Sequence, residues 1–141
     1  MKNCKKTTLI LLILIFQKSF GQENIITGKV VDNQLTELPM ALIKCGSKII
    51  DTTDFSGNFK FKLTPEIKKI TIEFIGFDSE TITISGNCNV IEVVMLESGI
   101  YDFVSLKTAE RKRNRRRNKL LPKLYAEAYQ KKIFRNEKPC W

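Results

Sequence analysis

Carboxylate pairs, thiols and clustered cations are the side chains of this 141-residue chain that could do chemistry, and histidine is absent altogether. Asp51 with Asp54, or Glu66 with Glu73, could in principle flank a glycosidic bond, one carboxyl as acid and the other as base or nucleophile. Both pairs fall in stretches that read as strand or turn, where a solvated carboxylate is the ordinary occupant. Zinc peptidase chemistry needs histidine and carboxylate ligands plus a general base, and the usual serine or cysteine hydrolysis needs an imidazole. Neither has its apparatus here. The seven glycines never cluster into a phosphate-cradling loop. The reading is of a non-enzyme, with no catalytic, cofactor-binding or metal-binding residue assigned.

The strongest chemical signal is RKRNRRRNK at 111 to 119. Arg111, Lys112, Arg113, Arg115, Arg116, Arg117 and Lys119 put seven cations into nine positions, with no carboxylate from there until Glu127. Such a run attracts anions: phosphorylated lipid head groups, an acidic protein or nucleic-acid phosphates. The bland alternative is a solvated, flexible tether. Arg111 with Arg115, Lys112 with Arg116 and Arg113 with Arg117 are like-charged i,i+4 pairs, so the free segment is expected to fray and to become helical when an opposite charge removes the repulsion. Pro122 can open a second helix, through about Phe134, with Leu121, Leu124, Tyr125 and Ala128 as an apolar stripe for packing on the rest of the protein or on a partner.

Charge is distributed unevenly around this run. Residues 22 to 100 carry 7 basic and 11 acidic side chains, whereas residues 101 to 141 carry 13 basic and 4 acidic ones. At the other end, Lys2, Lys5 and Lys6 precede the apolar run Leu9 to Phe16, and Ser19 and Gly21 are small residues before Gln22. This is the pattern of a signal peptide cut before Gln22. The apolar run is much shorter than the roughly 20 residues that span a bilayer, so no transmembrane segment is expected after cleavage. Export permits disulfides, yet the mature chain keeps three cysteines, Cys45, Cys88 and Cys140, so at most one pair can form within it. Their spacing matches no metal pattern. Cys45 reads as a small buried residue, and Cys140, beside Trp141, is open to pairing between chains.

Between these ends the sequence is a series of short β-type runs, expected at Ile25 to Asp32, Ala41 to Cys45, Lys48 to Thr53, Asn58 to Leu63, Lys69 to Ile75, Glu80 to Ser85 and Val90 to Leu96. In FKFKL, Phe59, Phe61 and Leu63 alternate with Lys60 and Lys62; in ITIEF, Ile70, Ile72 and Phe74 alternate with Thr71 and Glu73. One face of each strand is therefore core. Asp54 can accept from backbone amides further along its turn, and Gly57 suits a left-handed position that starts the next strand. Gly76 ends another strand in the same way. Strands at about ten-residue intervals indicate a sandwich or barrel.

GKVVD at 28 to 32, ELPMALIK at 37 to 44, TTDFSGNFKFKL at 52 to 63 and FIGFDSETITI at 74 to 84 together resemble the carboxypeptidase-like regulatory domain, over roughly Ile25 to Leu96. Met40 stands where that family usually has a glycine after Leu-Pro. The resemblance implies a transthyretin-like β-sandwich, abundant in exported proteins of Bacteroidota, that serves as an accessory and supplies no catalytic residues.

The sequence thus predicts an all-β protein: a signal peptide over 1 to 21, a seven-stranded transthyretin-like or Ig-like β-sandwich over 22 to 98, and a basic, partly helical tail over 99 to 141. The expected function is a non-catalytic structural or adaptor module, periplasmic, outer-membrane-associated or secreted, whose cationic tail binds an anionic envelope surface or acidic protein partner. The alternative is a glycan- or peptide-binding sandwich with the tail as a tether. A carbohydrate platform would show exposed aromatics, but Tyr101, Tyr125, Tyr129 and Trp141 all lie beyond the sandwich. The export signal argues against nucleic acid as a partner.

Overall fold

The computed structural model describes residues 24–86 and 88–141. The expected signal sequence and its cut site lie outside them. Seven strands follow one another as β1 (Ile25–Val31), β2 (Leu42–Cys45), β3 (Lys48–Thr52), β4 (Asn58–Lys62), β5 (Lys69–Glu73), β6 (Glu80–Thr83) and β7 (Val90–Val94), and one helix, α1 (Leu106–Gln130), comes after them. Each strand lies within the range its alternation predicts. They form two sheets, of order β4-β1-β7 and β3-β2-β5-β6. In the first, β1 is central, antiparallel to β4 with Gly28 opposite Phe59 and parallel to β7 with Gly28 opposite Ile91.

Alternation decides what each strand buries. Ile26 and Val30 of β1, Phe59 and Phe61 of β4, and Ile91 and Val93 of β7 meet Ile43, Ile70, Ile72 and Ile82 from the other sheet in one core. The intervening residues of β1 and β7 face outward, where Val31 and Val94 would leave apolar surface exposed. They are instead covered by Tyr125 and Ala128 of α1 and by Phe134, in a second cluster. The stripe expected at Leu121, Leu124, Tyr125 and Ala128 therefore packs on the sandwich of its own chain.

The turn before β4 forms as its residues require. The Asp54 carboxylate accepts from Ser56 N at 2.9 Å and Asn58 N at 2.8 Å. The Asn58 amide, above all, holds the Asp54 carboxyl below its usual range. Gly57 has φ 72° and donates to the Asp54 carbonyl. Its own carbonyl accepts from Val30 N, and a Cβ there would stand 2.4 Å from the Val30 carbonyl oxygen. Gly57→Val should therefore lower stability by about 2–3 kcal/mol, combining left-handed strain with crowding against β1. An unchanged urea midpoint for this variant would show that the turn does not constrain β1.

Gly76 is also left-handed, at φ 85°, but its would-be Cβ meets open space, so conformation alone accounts for glycine there. Met40 adopts φ 63°, so the glycine-like backbone persists without the glycine. It is held by Met40 N donating to the Thr53 carbonyl and by the buried Thr53 hydroxyl, which bridges Ala41 N and the Leu38 carbonyl.

Two expectations about cysteine are corrected. Cys140 is paired with Cys88 of its own chain, with a Cα–Cα distance of 5.6 Å, and not with a second chain. The C-terminal segment turns back after α1 because Lys132 takes a left-handed φ of 59° and Ile133 N bonds the Ala128 carbonyl. The buried Glu92 carboxylate of β7 then accepts from Arg135 N at 2.6 Å and from Asn136 N at 3.1 Å, which brings Cys140 to the start of β7. Cys45 is a free thiol and only half-buried, since it closes β2 at the turn into β3.

Candidate anion-binding face

Helix α1 runs unbroken for 25 residues, about 37 Å, through both the cationic run and Pro122. This corrects the frayed segment and separate second helix expected from local sequence. Ser105 caps it, its hydroxyl accepting from Thr108 N at 3.3 Å. Pro122 sits far inside, where it has no N–H to offer the Asn118 carbonyl. Neither like-charge repulsion nor this missing bond breaks the helix, because packing and ion pairs with the sandwich compensate.

The compensation is specific. Arg117 makes a two-pronged ion pair with Glu80, one prong being Nη2 donating to Oε2 at 2.7 Å. The Glu80 side chain is only 3% exposed, and it lies on the same side of β6 as the buried Ile82. An inward-facing carboxylate at this sheet edge is thus plugged by the helix. The hydrogen bond to Glu80, more than any other interaction, raises the Arg117 pKa above its ordinary value. One turn earlier, Arg113 Nε lies 3.4 Å from Oδ1 of the buried Asp78. Arg116 Nη1 donates to the Glu97 carbonyl at 2.6 Å. Further on, the Tyr125 hydroxyl donates to the Glu92 carbonyl at 3.2 Å and accepts from Val94 N. Burial pushes this hydroxyl well above its ordinary pKa.

The seven cations of the run therefore divide. Arg113, Arg116 and Arg117 dock the helix, whereas Arg111, Lys112, Arg115 and Lys119 are exposed. A step of four residues advances about 6 Å along a helix and about 40° around it. Lys107, Arg111, Arg115, Lys119 and Lys123 form one such row, all exposed, and it curves across the face opposite the one that carries Arg117, Leu121 and Ala128. Lys112 lies beside it. Of the carboxylates of α1, Glu110 lies off this row, and Glu127, the step of four beyond Lys123, is paired with Lys131 at 2.7 Å. From Lys107 to Lys123 this row holds five cations and no carboxylate, and no ion pair to them forms among the described residues.

What this face can do is attract several anionic groups at once over about 24 Å of helix. The cation run named it in the sequence. Its docking partners, the Asp78 and Glu80 carboxylates and the Glu97 main-chain carbonyl, were missed, because an acid at a sheet edge looks like any solvated residue until burial is known and a carbonyl leaves no mark in the sequence. Of the turn residues, Asp54 and Gly57 lie in the turn before β4 and Gly76 in the turn after β5, none of them on α1. Among the described residues no cluster of histidine, cysteine and carboxylates could hold a metal. No helix among them is long and apolar enough to cross a membrane.

Two sheets sharing one core, edged by a docked cationic helix, define a β-sandwich module. The chain belongs to the CarboxypepD_reg-like domain family, whose model matches residues 26–112. That domain is a non-catalytic fold. The match takes in all seven strands apart from Ile25, with the first residues of α1, and it ends before the docking arginines Arg113, Arg116 and Arg117. No curated protein matches the chain.

Proposed function

We propose that this protein is a non-enzymatic, exported cell-envelope module, a transthyretin-like sandwich that holds a preformed cationic helix against an anionic surface. The phosphates of lipid head groups are the surface that a long row of separated cations suits best. The observation that carries the reading is the division of the cationic run, with Arg113 and Arg117 paired to the buried acids Asp78 and Glu80, Arg116 bonded to the Glu97 carbonyl, and Arg111, Lys112, Arg115 and Lys119 turned outward. Because the helix is already formed, binding requires no folding step and avoids that ordering cost.

Each cation near an anionic leaflet contributes about 1 kcal/mol, so the outward row can supply several. Arg111→Gln, Arg115→Gln and Lys119→Gln together should weaken binding to anionic vesicles roughly 100-fold, with the melting temperature retained because none of the three docks the helix. Co-sedimentation of the triple variant at the wild-type level would contradict the proposal. It would favour the second reading, in which a groove of about 700 Å³ lined by Met40, Phe74, Ile75, Phe77, Asp78 and Arg113 recognises a peptide.

A further inference from the structure

The segment that leads into α1 carries large apolar side chains that the fold does not use. Ile100 is 87% exposed, Leu106 is 90% exposed and Phe103 is fully exposed. Phe103 also has φ 61°, a left-handed conformation that disfavours a residue of its bulk. Stability alone would favour glycine or asparagine there, and solubility would favour a polar side chain. An aromatic ring is thus held in solvent on strained backbone, and neither packing nor turn geometry explains it.

The surroundings indicate what the ring meets. Ser98, two residues before Ile100, donates its amide to the Gly76 carbonyl, which places this segment beside the exposed Ile75. Lys107, Arg111 and Lys112 follow within the first two turns of α1, and all are exposed. Asp102 and Glu110 are the acids of this stretch, and the three cations outnumber them. Apolar side chains flanked by cations are what an anionic bilayer takes up: the former enter the boundary between head groups and acyl chains, and the latter stay with the phosphates. An acidic protein would reward the cations but leave Phe103 and Leu106 without a site.

The geometry points to a membrane-inserting tip: Ile100, Phe103 and Leu106 enter the head-group and acyl boundary of an anionic bilayer, while Lys107, Arg111 and Lys112 engage its phosphates. This rests on the cationic-face reading and adds to it an apolar component that salt does not screen.

Phe103→Trp supplies the probe, with the wild-type protein as control because its Trp141 packs into the two apolar clusters. The full chain is titrated with vesicles of phosphatidylcholine alone, of phosphatidylcholine with phosphatidylglycerol, and of the latter mixture with brominated acyl chains. Insertion predicts a blue shift and bromine quenching of the introduced indole on anionic vesicles only, while Trp141 stays unaffected. Phe103→Asn with Leu106→Gln, chosen to suit left-handed and helical backbone respectively, should weaken vesicle binding about tenfold and leave the remainder fully reversible by salt. Salt-reversible binding without quenching, at equal affinity for this double variant, would overturn insertion and leave the cationic face standing. Binding to immobilised polyglutamate but not to anionic vesicles would overturn insertion in favour of an acidic protein. Binding to neither would remove both readings.

Discussion

Cys140→Ser should lower the stability of the oxidised protein by about 4 kcal/mol, the value expected for removing a cross-link between residues 52 apart. The cost combines two losses. The unfolded chain regains loop entropy, and the segment from Ile133 to Trp141 then depends on its contacts with Glu92, Ser85 and the two apolar clusters. Urea denaturation of wild-type protein with and without reductant, beside the serine variant, measures this. The reduced wild type should match Cys140→Ser, and a midpoint indifferent to reductant would show that the strap adds nothing.

The second large effect belongs to Arg117. Arg117→Ala should destabilise by about 3–5 kcal/mol, because it leaves the Glu80 carboxylate buried without its partner. Arg117→Lys should recover only part of the loss, since an ammonium cannot reproduce the two-pronged geometry. Glu80→Gln with Arg117→Gln should cost less than Arg117→Ala alone, because neither side chain then carries a charge into the edge of the core. Equal destabilisation by all three variants would mean that the pair acts through packing and not through charge.

The sandwich was legible because its signal is local. Alternation over FKFKL and ITIEF fixes which side of a strand is apolar, and Asp54 with Gly57 specifies a turn through bonds that span four residues. The helix was less legible for the opposite reason. Arg113 with Arg117 reads as repulsion along the chain, whereas each faces a buried acid, Asp78 or Glu80, some 35 residues away. Spacing alone carries no information about such a partner. The same holds for Cys88 and Cys140, which meet because Glu92 binds two amides of the returning segment, an event no cysteine count foretells. The cationic run is plain in the sequence, but its division into docking and outward sets depends on which side of α1 meets the sandwich.

Under the proposed function the outward cations of α1 work as a preformed electrostatic surface. Titrating the protein with anionic and neutral vesicles over a salt series, while recording far-ultraviolet circular dichroism on the same samples, is the decisive test. Screening acts over about 8 Å at physiological ionic strength, so binding to anionic vesicles should fall steeply as salt rises and neutral vesicles should bind far less. The helical signal should not change on binding, because α1 is complete beforehand. Equal binding to both kinds of vesicle, or a large gain of helix on binding, would show that α1 is not a preformed electrostatic surface.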